Sequence, residues 1–276
     1  MSQVDHLPSQ AGRPATVALR LSPSALDRYR ACPRSFYWAD VERAQRNEEP
    51  SPILCQANAV HAALDRFFGL PPDHRSPETL ELALRSVWVE HRRPGAFAGR
   101  NDERRYGLEA IELLRNFYET FDTSAVPLSR EQWVKARLDS GIVVFGKVDR
   151  IDRAAGGGLE LIDYKTGRHQ LAADDITADS AALVYLIAAE ATYGVEVERV
   201  RFLYLRSGDE VRWTPEREDV ESAAALLETV AAEIAREEAF PAIPGTQCRF
   251  CPFALRCPDR QAVSLDSLVP VEDLAF

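Results

Sequence analysis

Gly146-Lys147-Val148-Asp149-Arg150-Ile151-Asp152 and Leu159-Glu160-Leu161-Ile162-Asp163-Tyr164-Lys165-Thr166-Gly167 read as two apolar strands joined across Ala154-Ala155-Gly156-Gly157-Gly158. Side chains two apart on a strand share a face, so Asp163 and Lys165 point the same way. Asp149 lies on the preceding strand, where a hairpin brings its carboxylate toward that of Asp163. Two close carboxylates repel unless a cation sits between them, and hard oxygen ligands suit Mg²⁺ or Mn²⁺. A lysine beside that cation can orient or deprotonate a water and stabilise charge developing on a phosphorane. The acidic-x-Lys triple by itself is weak, since about one chance occurrence is expected in every two chains of this composition. Its bland alternative is a solvated ion pair worth about 0–1 kcal/mol. Context strengthens it: an apolar strand feeds the triple, a glycine follows it, and a partner aspartate stands one strand earlier.

Working outward, Gln132–Asp139, Ile142–Asp152 and Leu159–Lys165 form an antiparallel meander with tight turns. Ser180 to Tyr193 is an alanine- and leucine-rich helix, Val197–Leu205 and Val211–Thr214 are two more strands, and Glu216 to Glu238 is a long helix with an acidic surface. Upstream, Ser22-Pro23 opens a short helix as N-cap and first-turn proline. The aromatic run Arg34–Trp38 is compatible with strand or helix. Ile53 to Phe68 carries apolar residues at helical spacing, and 76–91 and 102–121 read as two further helices. The pattern implies an α/β fold in one domain over 21–260, with a helical insertion at 70–125, a disordered tail at 1–20 and a second tail at 261–276.

The chain has 276 residues with 33 Lys+Arg against 43 Asp+Glu, a formal charge of -10. That argues against a simple basic nucleic-acid coat protein. Residues 1–121 are neutral, so the whole excess lies in 122–276, and the only lysines are Lys135, Lys147 and Lys165. No apolar run reaches the roughly 20 residues of a membrane span, and the N-terminus has no apolar signal core, which makes the cytoplasm the expected compartment.

Three further groups stand out. His61, on the Ile53–Phe68 helix among small residues, can offer a neutral imidazole to a metal, although a lone histidine on such a helix is more often a packing residue. Cys248-x₂-Cys251-x₅-Cys257 places three thiols within ten residues at the C-terminal end, a strong metal-site signal. With Cys32 as a distant fourth, the set fits Zn²⁺ or a [4Fe–4S] cluster, and spacing does not choose between them. Such a site would staple the chain ends; Cys55 reads as a buried small hydrophobe. Finally, Arg28, Arg30 and Arg34 beside Phe36, Tyr37 and Trp38, together with Arg92, Arg93, Arg100, Arg104 and Arg105, could line a groove for single strands. Phe36 and Trp38 themselves read as core.

The order of a helix bearing His61, then GKVDRID, then IDYKTG, resembles the RecB-type branch of the PD-(D/E)XK nuclease superfamily. The opening SPSALDRYRACPRSFYW and closing CRFCPFALRCP resemble its iron–sulfur members, the AddB-type nuclease domain and the CRISPR-associated RecB-like exonucleases. The resemblance runs from about Leu21 to Pro258. It implies a restriction-endonuclease-like fold, a mixed central sheet flanked by helices with a cysteine-ligated C-terminal staple. It implies Mg²⁺ or Mn²⁺ held by His61, Asp149, Asp163 and the main-chain carbonyl of Tyr164, with Lys165 catalytic beside Asp149 and Asp163. It favours a [4Fe–4S] cluster over zinc on Cys32, Cys248, Cys251 and Cys257. Tyr185, Arg34, Arg92 and Arg93 would position the substrate. Ala181 stands where the family has glutamine, and Ala57 where it has glycine. The implied activity is metal-dependent DNA cleavage, as a single-strand exonuclease in repair or recombination, with a helicase or CRISPR adaptation partner. The alternatives are a non-cutting DNA- or partner-binding module on the same fold, and a CRISPR spacer-processing nuclease.

Overall fold

The computed structural model describes residues 19–46 and 50–262. The tails expected at 1–20 and 261–276 therefore lie largely outside the described residues, except that Arg20 belongs to the first strand. The chain runs β1 (Arg20–Leu21), α1 (Pro23–Ala31), α2 (Pro33–Phe36), α3 (Pro52–Phe68), α4 (Pro77–His91), α5 (Arg100–Thr120), β2 (Ser129–Arg137), β3 (Val143–Arg153), β4 (Leu159–Lys165), α6 (Ser180–Tyr193), β5 (Val197–Tyr204), β6 (Glu210–Trp213) and α7 (Arg217–Arg236).

These elements form where local chemistry permits. Ser22, Ser51 and Ser76 cap α1, α3 and α4 with their hydroxyls, each followed by a proline in the first turn. Asp179 caps α6 by accepting from the N–H groups of Ala181 and Ala182, and Gly194 ends it in the left-handed conformation at φ 66°. The aromatic run resolves as helix: α2 continues into a π-turn over Tyr37–Val41.

One mixed sheet of six strands forms the middle layer. β2, β3 and β4 are the expected antiparallel meander, β5 lies parallel beside β4 after the α6 crossover, and β6 closes antiparallel to β5. β1 lies parallel to the start of β3, with Leu21 opposite Val144. Helices α1, α6 and α7 bury Leu26, Leu183, Leu186, Leu227 and Ile234 against Val144, Val148, Ile151 and Phe202 on one face. Helices α3, α4 and α5, which include the region read as an insertion, pack Leu64, Phe67, Leu84, Leu114 and Phe117 over Ile162, Tyr164, Leu203 and Leu205 on the other. The result is the mixed α/β sandwich of the restriction-endonuclease-like fold. No helix among the described residues is long and apolar enough to cross a membrane. Phe36, Trp38 and Cys55 are buried, as expected of core residues.

Candidate functional site

The site forms where the β3–β4 pairing ends. The last registered pair of β3 and β4 on this side is Arg150 with Ile162. Asp149 and Asp163 occupy the next position along, just past the end of the registered pairing. Across β2 and β3, the pairs Arg130 with Arg150 and Gln132 with Val148 bracket Glu131 and Asp149. Glu131, Asp149 and Asp163 therefore stand in one row across three adjacent strands. Glu131 departs from strand geometry at φ 48°, a left-handed conformation uncommon for a side chain without special constraint.

His61 enters this row from α3. Its Nδ1 lies 3.0 Å from Asp149 Oδ1, while Asp149 Oδ2 accepts the Tyr164 N–H at 2.8 Å. The Tyr164 ring packs edge-on against His61 and Phe117, which fixes the imidazole from behind. One ligand atom each from His61, Glu131 and Asp149 falls within 4.8 Å of the others, a group suited to a metal ion. Glu131 is the residue that sequence reasoning missed. It is also ion-paired with Lys147, from the outward face of β3.

Lys165 Nζ contacts Asp163 Oδ2 at 2.7 Å and lies 4.2 Å over the Phe202 ring. Tyr185 reaches down from α6 toward Asp163; burial, then the charges of Asp163 and Asp149, push its pKa well above the ordinary value. The ring needs the bare backbone of Gly146 beneath it: a Cβ there would fall 2.6 Å from Tyr185 Cε1. Tyr185 thus joins the site, whereas Ala181 serves as part of the capped first turn of α6.

Charges in the site support one another. Burial disfavours the imidazolium of His61, yet Asp149 beside it raises the pKa to about 9. Burial likewise opposes the carboxylate of Asp149, and His61 overcomes it, holding the pKa below the usual value. Asp163 is pushed upward by burial, more than Lys165 offsets. Burial works against the ammonium of Lys165, but Asp163 keeps its pKa raised, so it stays protonated. The site holds three acids, Glu131, Asp149 and Asp163, with a cationic histidine and a cationic lysine, an arrangement that a divalent cation would reorganise by displacing the imidazole proton.

The arginines divide differently. Arg34 turns to the cysteine region, donating to Phe240 O at 2.9 Å and lying near Asp259, with its guanidinium by the Trp38 ring. Arg92 is paired with Glu103, and Arg105 with Asp102 and Glu109. Arg93 is exposed in the α4–α5 connection. The structure gathers none of these beside Asp149.

Cys32, Cys248, Cys251 and Cys257 come together from the two ends of the chain, lining one cavity of about 180 Å³ with Arg34, Trp38 and Pro244. The N–H groups of Ile243 and Gly245 donate to the sulfurs of Cys32 and Cys248 at 3.5 and 3.4 Å. The neighbouring wall is Trp38 against Phe253, touched by Cys251 and Cys257.

Comparison with known proteins bears on the family and the fold. A family model described as the PD-(D/E)XK nuclease superfamily matches residues 20–258. The crystal structure of a proposed exonuclease from Eubacterium rectale superposes with a TM-score of 0.51 at 12% identity, covering 92% of this chain and 92% of that one. The structure of SSO0001 overlaps at a TM-score of 0.38 and 15% identity over 88% of this chain and 87% of its own, too loosely to carry a conclusion. No curated protein matches the chain in sequence.

Proposed function

Since the chain belongs to the PD-(D/E)XK nuclease superfamily, and is on that ground a nuclease, we propose that it cuts DNA as a single-strand exonuclease with a divalent cation at His61, Asp149 and Asp163. The observation that carries the reading is the row of acids at the end of the β3–β4 pairing with His61 and Lys165 on either side. Oxygen-rich donors with one imidazole suit Mg²⁺ or Mn²⁺. Glu131 is close enough to join them, and the Tyr164 carbonyl remains a candidate ligand. Such a cation supplies Lewis acidity toward a phosphate oxygen and lowers the pKa of a bound water. Lys165, held as ammonium by Asp163, orients the attacking water and neutralises charge gathering on the phosphoryl oxygens. Tyr185, on the α6 side of Asp163, is the substrate-positioning residue of this reading. Repair or recombination, a helicase partner, CRISPR adaptation and a cytoplasmic setting remain part of the proposal that rests on the resemblance, as does positioning by Arg92 and Arg93. Arg34 is better suited to support the cysteine cavity.

The test is Mn²⁺-dependent cleavage of a labelled single strand. Lys165→Ala is expected to slow it by about 10²–10³-fold, the scale of losing one aimed charge in a site of low dielectric; unchanged cleavage overturns the assignment, whereas a parent protein that binds the strand and does not cut it with Mn²⁺ favours the non-cutting module.

A [4Fe–4S] cluster on the four cysteines belongs to the same proposal. The cavity, the two N–H donors aimed at sulfur, and an aromatic wall fit a thiolate-bound cluster. Zinc on the same four sulfurs, at about 2.3 Å from each, is the alternative occupant. The cluster's expected role is structural, tying residue 32 to residue 257. Protein purified without oxygen should show a broad visible absorption band that Cys248→Ala removes; colourless protein carrying zinc would refute the cluster.

A further inference from the structure

Beyond the metal site, the outward side of β2 and β3 is left open by the described elements. Val134 and Ala136 point inward from β2, and Val144 and Val148 from β3, all buried. The alternate positions Trp133, Lys135, Arg137, Phe145 and Lys147 face outward. Trp133 is 60% exposed, yet it is stacked on Phe145 with centroids 5.9 Å apart and planes 26° from parallel. Arg20, on neighbouring β1, lies 4.5 Å over the Phe145 ring. Register places Lys147 directly opposite Trp133 and Lys135 directly opposite Phe145. The two rings thus form a diagonal pair with a lysine across from each, in a chain that has three lysines and a net charge of -10.

A stacked aromatic pair, Trp133 exposed and Phe145 half-buried, ringed by cations on an otherwise acidic molecule, is complementary to a chain that offers flat rings and phosphates together. The surface also runs into the site: Lys147 is paired with Glu131, which meets His61 and Asp149. We propose that Trp133 and Phe145 form a stacking platform for single-stranded DNA, with Arg20, Lys135 and Lys147 receiving its phosphates and leading the backbone to the metal site. Single strands fit because their bases present free π-faces, which a duplex hides within its own stack. The inference rests on the nuclease reading and names the path by which that substrate arrives.

The test uses the full chain in EDTA, so that no cutting occurs, and a fluorescein-labelled oligothymidylate followed by anisotropy. Trp133→Ala is expected to weaken binding about tenfold and Trp133→Phe to recover most of the loss, since stacking tolerates any aromatic face. Lys135→Ala should lower the slope of log Kd against log salt by about 0.7, the share of one phosphate contact on a single strand. A blunt duplex of equal length should change less than twofold with Trp133→Ala. Binding by Trp133→Ala equal to the parent overturns the platform, as does a Trp133→Ala protein whose only change is loss of self-association in sedimentation. Parallel Mn²⁺ assays separate the two readings. Cleaving parent with Trp133-independent binding refutes the platform alone, whereas Trp133-dependent binding without cleavage supports the platform and refutes the nuclease.

Discussion

At the residue scale, Glu131 changes what the site can hold. Beside His61, Asp149 and Asp163, Glu131 offers the cation a further carboxylate from the neighbouring strand β2. Its left-handed backbone at φ 48° is the kind of local strain that surrounding structure must support, here with Lys147 as counter-ion. Glu131→Gln is therefore expected to weaken Mn²⁺ binding about tenfold or more in calorimetry, within the range seen when groups around a metal are altered; affinity equal to the parent removes Glu131 from the ligand set. Asp149, Asp163 and Lys165 were legible in the sequence because strand alternation and a hairpin are local rules. Glu131 was not, because nothing in Arg130-Glu131-Gln132 marks it: its role comes from cross-strand register and a backbone turn. Arg34 shows the converse. Its neighbours in sequence suggested a nucleic-acid groove, while its partners in space are Phe240, Asp259 and Trp38.

At the scale of elements, β4, β5 and β6 are tied by a line of ion pairs. Glu160 meets Arg199 and Arg201, and Glu210 meets Arg201 and Arg212. Burial alone would raise the Glu210 pKa, but hydrogen bonds from Arg201 and Arg212 hold it at about 2, against an ordinary 4.5. A depressed folded-state pKa contributes stability above the unfolded value that is lost as pH falls through the folded one. Glu210→Gln should therefore lower the urea midpoint at pH 7, and the gap from the parent should shrink from about pH 4.5 downward toward pH 2. A gap constant with pH would mean that the carboxylate charge is not what stabilises β6. The strands and long helices of this region were readable from period and caps, with ends displaced by a few residues. The run Arg34–Trp38 was not, because aromatic residues suit either element; Phe36 under Tyr29 and Phe240 settles it as helix.

For the whole molecule, β4 and β5 serve two cores at once. Leu159, Leu161 and Phe202 face α6 and α7, while Ile162, Tyr164 and Leu203 face α3, α4 and α5. Neither helical layer can leave without exposing an apolar face of the same strands, so the region read as an insertion is bound into the domain. Urea unfolding followed by far-UV circular dichroism and by tryptophan fluorescence should give coincident transitions. Separate midpoints would show the α3–α5 layer opening independently.

The amino-acid sequence by itself determined the strand meander, the Asp149–Asp163–Lys165 arrangement and the clustering of Cys248, Cys251 and Cys257, since each depends on spacing along the chain, whereas His61 entered as a ligand only through the family resemblance. The net charge of -10 pointed away from nucleic acid only as an average over the chain. Tertiary structure decided where charge and aromatic surface actually meet. It set Glu131 against Asp149, brought Cys32 to Cys248, and left Trp133 exposed on a cationic strand face, because pairing register and layer packing join residues that no local pattern connects.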